Sequence, residues 1–481
     1  MPSISNLKPK KVFEFFELIS SVPHGSGNTD MISGLCCEFA RLRGLRYIQD
    51  ALGNVIIFKP ASAGYEDHEP VIIQGHMDMV TVKTPDSDID LDREGLRLRT
   101  DREYLWADGT SLGADDGIAV AMAMAVLDSD DIPHPPIEAV FTINEETGMD
   151  GAEFIDTSVL SGRRMLNIDS EAEGVITAGC AGGIRVFGRF AMNSSTRTLH
   201  GLRLSLNGLI GGHSGSEIHH NRANSNILMA QLLHCLQKNV PVSLSSLNGG
   251  EKDNAIANAA SAVIAFAPED FGAVSEYLAD FKDTVICDIS KNEPDVKLAV
   301  ENLGVGEIAS SDFDASERII SAIYNLPNGV IAMNPYIPGL VQTSTNLGIV
   351  STDENAVKLT FCLRSSVMSE LRTLTKRISD TIEAFGGKAS TGGAYPAWEY
   401  KTDSPLRDKA VESYTKLFGK PPKIEVIHAG LECGLFSAKI PELDCISFGP
   451  DILDIHTVNE KLSISSAERT YRLLLELLNN L

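Results

Sequence analysis

The apolar segment 71–79 ends in two residues that could form part of a metal site. Its sequence, Val71-Ile-Ile-Gln-Gly-His-Met-Asp-Met79, is typical of a buried strand followed by a loop, with His76 and Asp78 at the junction. In open α/β sheets, functional sites form at the carboxyl ends of strands. A neutral imidazole there can bind a metal, and a carboxylate two residues later can orient the imidazole. A single buried histidine is more often an ordinary core residue, so the pattern needs support from elsewhere.

Two further strand-like segments are followed by acidic side chains. Residues 137–143 lead into the paired acids Glu145 and Glu146, and residues 165–168 lead into Asp169. On a strand the two glutamates would point to opposite faces, so one could bind a metal while the other acts on a water molecule. For the two glutamates the alternative interpretation is a solvated acidic loop, and for Asp169 it is a simple cap or turn.

Asp115 and His456 complete this set of candidates. Asp115 lies in a glycine-flanked loop, Leu112-Gly-Ala-Asp-Asp-Gly117, at the start of a helix of small residues, where plain helix capping is the alternative. His456 follows a Gly-Pro turn and, taken alone, is an ordinary loop histidine. Together the candidates supply two imidazoles and three carboxylates without a thiolate. Two zinc ions or similar divalent metals, bridged by one carboxylate and one water, use such a ligand set.

The composition indicates a cytosolic protein of more than one domain. The chain has 481 residues, of which 43% are hydrophobic, so it can bury a large core. Its net charge of −24 argues against nucleic acid and anionic lipid as partners. The eight cysteines show no metal-binding spacing and are typical of reduced thiols. We expect neither a signal peptide nor a membrane span, because no apolar segment has the required length and flanks.

The predicted elements indicate an α/β protein with one discontinuous domain. Helix and strand patterns alternate over residues 1–182 and resume over residues 392–481, which predicts a first domain with a mixed sheet flanked by helices. Residues 183–391 read as an inserted α/β lid domain built of two similar βαβ-like halves. No Gly-x-Gly-x-x-Gly motif follows an early strand, which argues against a nucleotide-binding enzyme.

The candidates lie in motifs that resemble those of the di-zinc metallopeptidases of the carnosinase and glutamate carboxypeptidase type. Within that family the chain looks most like the bacterial aminoacylhistidine dipeptidases, and the resemblance covers essentially its whole length. The matching motifs are Gly75-His-Met-Asp-Met-Val80, Thr110-Ser-Leu-Gly-Ala-Asp-Asp-Gly117, Asn144-Glu-Glu-Thr-Gly148, Asn167-Ile-Asp-Ser-Glu171, Gly211-Gly-His-Ser-Gly215 and His428-Ala-Gly-Leu-Glu-Cys-Gly434.

The resemblance implies two zinc ions per chain, with manganese or cobalt as substitutes. His76 and Asp169 would bind one ion, and Glu146 and His456 would bind the other. Asp115 would bridge the two ions, and a cis peptide bond would follow it.

The resemblance also implies catalytic and substrate-binding residues. Asp78 would orient its neighbouring histidine, and Glu145 would act as general base and acid on the water between the metals. In the lid domain, His213 would polarise the scissile carbonyl and Arg364 would hold the substrate carboxylate. A turn histidine and a surface strand arginine are the alternatives for these two. Two more residues would line the same pocket: Asn254 and Gly430.

We therefore expect a cytoplasmic metallo-dipeptidase that prefers Xaa-His substrates, including β-alanyl-histidine. The histidine preference comes from the resemblance alone. The duplicated lid favours a dipeptidase, because its second half could supply what dimeric relatives take from a partner. The alternatives are an N-acyl amino acid deacylase or an aminotripeptidase of the same superfamily and, from another class, a non-catalytic metal-binding protein. The intact Glu145 and ligand set disfavour the last. The sequence leaves monomer and homodimer open.

Overall fold

The computed structural model describes residues 4–335 and 337–481, with the side chain of Ser5 excepted. Contacts divide the chain into two compact units. Unit 1 holds the residues up to Cys180, then Trp398–Val426 and Leu431–Leu481, and unit 2 holds Ala181–Ala397 and Ile427–Gly430. The domain boundaries at residues 182 and 391 remain predictions from the sequence, and the contacts place the corresponding divisions after residues 180 and 397.

Helices and strands alternate along the chain, and both are numbered in chain order. The helices are α1 (Lys10–Ser20), α2 (Asp30–Leu42), α3 (Ala114–Asp128), α4 (Glu145–Gly148), α5 (Asp150–Phe154), α6 (Ser225–Gln237), α7 (Phe271–Phe281), α8 (Cys287–Ile289), α9 (Phe313–Asn325), α10 (Met368–Ala384), α11 (Pro405–Phe418), α12 (Glu432–Lys439) and α13 (Ile464–Asn480). Over the described residues, none of these helices combines the length and the apolar character needed to cross a membrane.

The strands are β1 (Arg46–Gln49), β2 (Val55–Lys59), β3 (Val71–His76), β4 (Leu98–Thr100), β5 (Tyr104–Ala107), β6 (Ile137–Thr142), β7 (Arg164–Asn167), β8 (Val175–Cys180), β9 (Gly182–Ala191), β10 (Ser195–Asn207), β11 (Gly212–His213), β12 (Ser243–Gly249), β13 (Ala255–Ile256), β14 (Ala260–Phe266), β15 (Lys297–Ser310), β16 (Gly329–Met333), β17 (Val341–Thr352), β18 (Ala356–Ser365), β19 (Lys388–Tyr395), β20 (Lys423–Ile427), β21 (Asp444–Ser447), β22 (Ile452–Leu453) and β23 (Lys461–Ser463).

A mixed sheet forms the centre of unit 1. Its strands follow the order β1-β2-β6-β3-β7-β21-β8-β20. β3 pairs in parallel with β6 and β7, and β7 pairs in parallel with β21. Every residue of β3 and β6 is buried, as expected for strands covered on both faces. The carboxyl ends of four adjacent strands therefore reach the same edge of the sheet.

Helix α3 packs closely against this sheet because its side chains are small. Its residues 114–127 are all buried, which fits a helix that is apolar on every side. A Cβ added at Gly75 in β3 would lie 2.7 Å from the Cβ of Ala119 in α3, so only glycine permits this approach. The approach places the start of α3, which carries Asp115, beside the end of β3, which carries His76.

Unit 2 contains a second sheet with strand order β15-β10-β14-β12-β17-β18-β9-β19, and β16 pairs with β17. The apolar faces of α6, α9 and α10 share one core with the sheet. The βαβ-like description of the two halves stays a prediction. Strands joined by a helix, such as β10 and β12 through α6 or β18 and β19 through α10, run in the same direction with one strand between them. Every described strand pair of this sheet is antiparallel, because short turns join neighbours such as β17 and β18.

Candidate functional site

The predicted metal ligands lie together where β3, β6 and β7 end. Nε2 of His76 lies 3.3 Å from Oδ1 of Asp115 and 3.9 Å from Oδ1 of Asp169. Nε2 of His456 lies 3.1 Å from Oδ2 of Asp115 and 2.8 Å from Oε1 of Glu146. Asp115 therefore directs one carboxylate oxygen towards each imidazole, which is the arrangement that a bridging ligand requires.

The donor atoms of this cluster fit a site for divalent cations. Oδ2 of Asp169 and Oε1 of Glu146 are buried and form no hydrogen bond within the described residues. The close contact between Glu146 and His456 lacks hydrogen-bond angles, as expected of two atoms that point towards a shared third position. Imidazoles and carboxylates without a thiolate suit zinc and similar ions. Among the described residues, three groups have ligand atoms within 4.8 Å of one another: His76, Asp116 and Asp169; His76, Glu145 and Glu146; and Asp115, Glu146 and His456.

The charges of the cluster favour a cation between the carboxylates. Although burial opposes the shift, Asp115 and Asp78 raise the pKa of His76 well above its ordinary value. The carboxylates of Asp115 and Glu146 raise the pKa of His456 to about 10. In turn, and again against burial, both imidazoles hold the pKa of Asp115 below its ordinary value. Divalent ions bound here would replace the protons on these imidazoles, so metal affinity should fall as the pH drops below the raised pKa values of His76 and His456.

Asp116 lies beside the cluster, but its carboxyl group has a different partner. Its Oδ2 accepts the backbone N–H of His76 at 3.2 Å, and burial raises the pKa of Asp116 well above its ordinary value. The Asp115–Asp116 peptide bond is cis, as the family resemblance implied. Because Asp116 bonds the backbone of β3 while Asp115 faces both imidazoles, we favour Asp115 as the ligand.

Glu145 and Glu146 begin a helix, and the prediction that they alternate across a strand was wrong. β6 ends at Thr142, and α4 begins at Glu145. Asn144 reverses the chain between them with a φ of 56°, in the left-handed region that few residues other than glycine adopt. Burial raises the pKa of Glu145 well above its ordinary value, and nearby Glu432 and Glu146 act in the same direction. Glu145 therefore takes up a proton more readily than an exposed glutamate.

Asp78 contacts the start of α4 as well as its histidine neighbour. Its carboxylate accepts the backbone N–H groups of Glu145 at 3.0 Å and Glu146 at 3.4 Å, and the hydroxyl of Ser26 at 2.7 Å. Nδ1 of His76 lies 2.9 Å from the Asp78 carbonyl oxygen and 3.5 Å from its carboxylate. A carboxylate at a helix N-terminus satisfies free N–H groups. Asp78 thus holds both His76 and the two glutamates in place.

Glu460 is a residue of this site that the sequence did not reveal. Its buried carboxylate accepts the backbone N–H groups of the four residues Leu112–Asp115 at distances of 2.8 to 3.4 Å. It therefore fixes the loop that presents Asp115. Nothing in the local sequence around Glu460 marks this role, because its partners lie more than 340 residues earlier in the chain.

Replacing Glu460 with glutamine should loosen this loop. Glutamine keeps the shape but turns an NH₂ group towards two backbone N–H donors, which then lose their acceptor. We expect the free energy of unfolding to fall by roughly 1–3 kcal/mol, the cost of buried unsatisfied groups. Urea unfolding of chelator-treated protein measures the change. The control is Glu468→Gln at an exposed glutamate of α13, and equal stability of the two variants would contradict the assignment.

In unit 2, His213 is a neutral hydrogen-bond donor beside Arg364 and Asn254. Its Nδ1 accepts the backbone N–H of Ser216 at 3.1 Å, which leaves the proton of the neutral ring on Nε2. Burial and the charge of Arg364 both lower the pKa of His213. The carbonyl of Asn254 accepts the N–H of Ser214 at 2.8 Å, which places Asn254 next to this histidine.

Arg364 keeps hydrogen-bonding capacity although it is only 8% exposed. Its Nη1 donates to the hydroxyl of Tyr395 at 2.8 Å, and its Nε forms no hydrogen bond within the described part of the chain. A fixed guanidinium with an unused N–H donor is suited to binding a carboxylate. The surface-residue interpretation of Arg364 is therefore wrong.

Gly430 lies in the segment 427–430, which also contains His428. Nε2 of His428 lies 2.7 Å from the hydroxyl oxygen of Ser344. Burial and the charge of Arg364 lower the pKa of His428 to about 3, so the ring is neutral. A Cβ added at Gly215 would lie 2.7 Å from the carbonyl oxygen of His428, so this segment packs directly on the loop that carries His213.

Comparison with known sequences identifies the family. The family model described as peptidase family M20/M25/M40 matches residues 72–480. The chain belongs to this peptidase family. This M20-family enzyme is 34% identical over 485 residues to the cytosol non-specific dipeptidase of Escherichia coli K12, and the alignment covers 100% of this chain and 99% of that protein.

Solved structures share the fold of this M20-family enzyme. The aminoacylhistidine dipeptidase from Vibrio alginolyticus superposes with a TM-score of 0.90 at 34% identity, covering 99% of this chain and 98% of that one. A tripeptidase from Staphylococcus aureus superposes with a TM-score of 0.61 at 16% identity, covering 98% of each chain. The predicted α/β fold class and the family resemblance are confirmed.

Proposed function

We propose that this enzyme is a metal-dependent dipeptidase. The observation that carries the proposal is the cluster in which Asp115 lies between His76 and His456, with Glu145 beside it. Two proteins with dipeptidase names, the Escherichia coli and Vibrio alginolyticus relatives, each share 34% identity over nearly the full length. The name of the Vibrio alginolyticus relative, and the resemblance noted above, support a preference for a C-terminal histidine. The cytosolic name of the Escherichia coli relative and the eight free thiols support a cytosolic location.

Two zinc ions are the proposed cofactors, and manganese or cobalt could replace them. His76 and Asp169 would hold one ion, Glu146 and His456 the other, and Asp115 both. When bound, such ions polarise a carbonyl group and lower the pKa of water to near neutrality.

Glu145 is the proposed general base and acid. Its carboxylate accepts the proton of the attacking water and then returns that proton to the leaving amine. The contact of Asp78 with the N-terminus of α4 keeps Glu145 fixed during both transfers. Nε2 of His213 donates a hydrogen bond to the oxygen that becomes negative in the transition state.

Arg364 is the proposed partner of the substrate carboxylate, with Asn254 and Gly430 in the same pocket. A fixed cation that recognises a C-terminal carboxylate limits the number of residues that can follow the scissile bond. A cation that lies one residue beyond the scissile bond would select dipeptides over longer chains.

Replacing Arg364 with alanine should mainly raise KM, whereas replacing His213 with alanine should mainly lower kcat. The carboxylate contact of Arg364 exists in the ground state and the transition state alike, whereas the contact of His213 strengthens only as negative charge develops. Steady-state kinetics with Ala-His separate the two effects. If both variants changed both constants equally and slightly, the two side chains would have structural roles only.

A substrate panel tests the proposed function against its alternatives. Zinc-loaded and manganese-loaded enzyme would be assayed with Ala-His, β-Ala-His, Ala-Leu, Ala-His-Ala and N-acetyl-His, and kcat/KM compared. The proposal predicts that the dipeptides are the best substrates and that Ala-His exceeds Ala-Leu. Faster cleavage of the tripeptide would indicate an aminotripeptidase, and faster cleavage of N-acetyl-His a deacylase. Equal rates for Ala-His and Ala-Leu would remove the histidine preference alone.

A further inference from the structure

A buried polar network connects the three strands that end at the metal cluster. The network consists of Gln74 in β3, Thr142 in β6, Asn167 in β7 and Glu432 at the start of α12. All four side chains are at most 1% exposed. Oε2 of Glu432 accepts hydrogen bonds from Nε2 of Gln74 at 2.5 Å and from the hydroxyl of Thr142 at 2.6 Å. Oε1 of Gln74 accepts one from Nδ2 of Asn167 at 2.6 Å.

Each strand residue of this network lies shortly before a proposed ligand. Gln74 precedes His76 by two positions, so both side chains project from the same face of β3. Asn167 is opposite Gln74 in the parallel pairing, and it precedes Asp169 by two positions. Thr142 ends β6 opposite His76, and α4 with its two glutamates follows. Glu432 therefore connects the side chains of β3 and β6 directly, and that of β7 through Gln74, immediately beneath the ligands.

Stability of the core alone does not explain this network. The neighbouring residues of β3 and β6 are apolar, and burying polar groups among them costs free energy unless each group is hydrogen-bonded. Oε1 of Glu432 and Oδ1 of Asn167 form no hydrogen bond within the described residues. Apolar side chains of similar size would avoid that cost. Buried polar networks restrict the arrangement of the elements that they join, which here are the elements that carry the ligands.

We infer that Glu432 is a positioning residue for the metal centre. By accepting hydrogen bonds from Gln74 and Thr142, it holds the ends of β3 and β6, and through the Gln74–Asn167 bond the end of β7, in the arrangement that the ligands require. This inference rests on the proposed function, because it assumes that the cluster binds metal ions.

The test measures metal binding without turnover in variants of Glu432. Glu432→Leu removes the acceptor, and zinc affinity should fall by about tenfold or more, as it does when the support of metal ligands is lost. Glu432→Gln keeps an oxygen that can accept both hydrogen bonds, so its zinc affinity should stay close to that of the wild type. The absorption spectrum of the cobalt-loaded protein, which reports ligand geometry, should change in the leucine variant and not in the glutamine variant.

The matched control is Glu138→Leu. Glu138 is also buried in unit 1, but it lies near the start of β6 and accepts hydrogen bonds from Ser161 and from the N–H of Gly162. Its loss should lower the melting temperature and leave zinc affinity and the cobalt spectrum unchanged. Thr142→Val is the second variant, for use if Glu432→Leu does not fold. It removes one donor to Glu432 with little change of shape, so it should weaken zinc binding and change the cobalt spectrum in the same direction by a smaller amount.

Two results are distinguishable. The positioning role is wrong if Glu432→Leu or Thr142→Val loses stability, as Glu138→Leu does, but binds zinc with wild-type affinity and gives the wild-type cobalt spectrum. This conclusion assumes that the wild type is active. If the wild type binds zinc and cleaves no dipeptide, the proposed function is wrong. The affinities of the variants still decide the role of Glu432 in that case.

Discussion

Replacing Glu145 with glutamine should lower kcat for dipeptide hydrolysis by about 10²–10⁴, the usual contribution of a general acid–base group. The amide cannot accept a proton from water, whereas its shape and the hydrogen bond of its backbone N–H to Asp78 are kept. Both metal ions should stay bound. Steady-state kinetics combined with metal analysis of the same sample measure both quantities.

Glu146→Gln is the matched control for this prediction. The two residues are neighbours at the start of α4, but only Glu146 lies 2.8 Å from Nε2 of His456. Its substitution should lower metal content, and added zinc should restore part of the activity. Excess zinc should not restore Glu145→Gln. Near-normal turnover by Glu145→Gln would exclude this division of roles.

Replacing Asp115 with asparagine should lower the metal affinity of both positions together. The loss should exceed the roughly 10–100-fold that follows replacement of a residue supporting a ligand, because here a ligand itself is lost. Asp115 contacts His76 through one oxygen and His456 through the other, so this one change removes negative charge from both positions. Zinc titration against a chromophoric chelator gives both dissociation constants.

Asp116→Asn is the control, because it removes the neighbouring carboxyl group while an amide oxygen can still accept the N–H of His76. It should retain both ions. Loss of one ion only in Asp115→Asn, with the other dissociation constant unchanged, would contradict the bridging assignment.

The ligand cluster could be predicted from sequence because each member follows an element with a strong local pattern. His76 and Asp169 end apolar runs that are strands in the structure, and parallel pairing brings such ends together. Asp115 opens a helix whose small residues permit close packing on β3. The roles of the individual residues came from the family resemblance and not from periodicity.

The supporting contacts could not be predicted, because they join segments that are far apart in the chain and follow no local pattern. Glu460 binds a loop that lies more than 340 residues earlier, and Glu432 binds strands 290 and 358 residues earlier. The start of α4 could not be predicted, because two glutamates after an apolar run fit a strand or a helix, and the left-handed Asn144 decides between them. The strand directions in unit 2 could not be predicted, because helix and strand order alone does not fix strand direction.

Restoring zinc to chelator-treated enzyme, with the rate of Ala-His hydrolysis and the bound zinc measured on the same samples, tests the central claim most directly. A dipeptidase that needs both positions of the cluster should be inactive without metal and reach its full rate as bound zinc approaches two ions per chain. Full activity of the metal-free protein, or no hydrolysis of any dipeptide with two ions bound, would contradict the account.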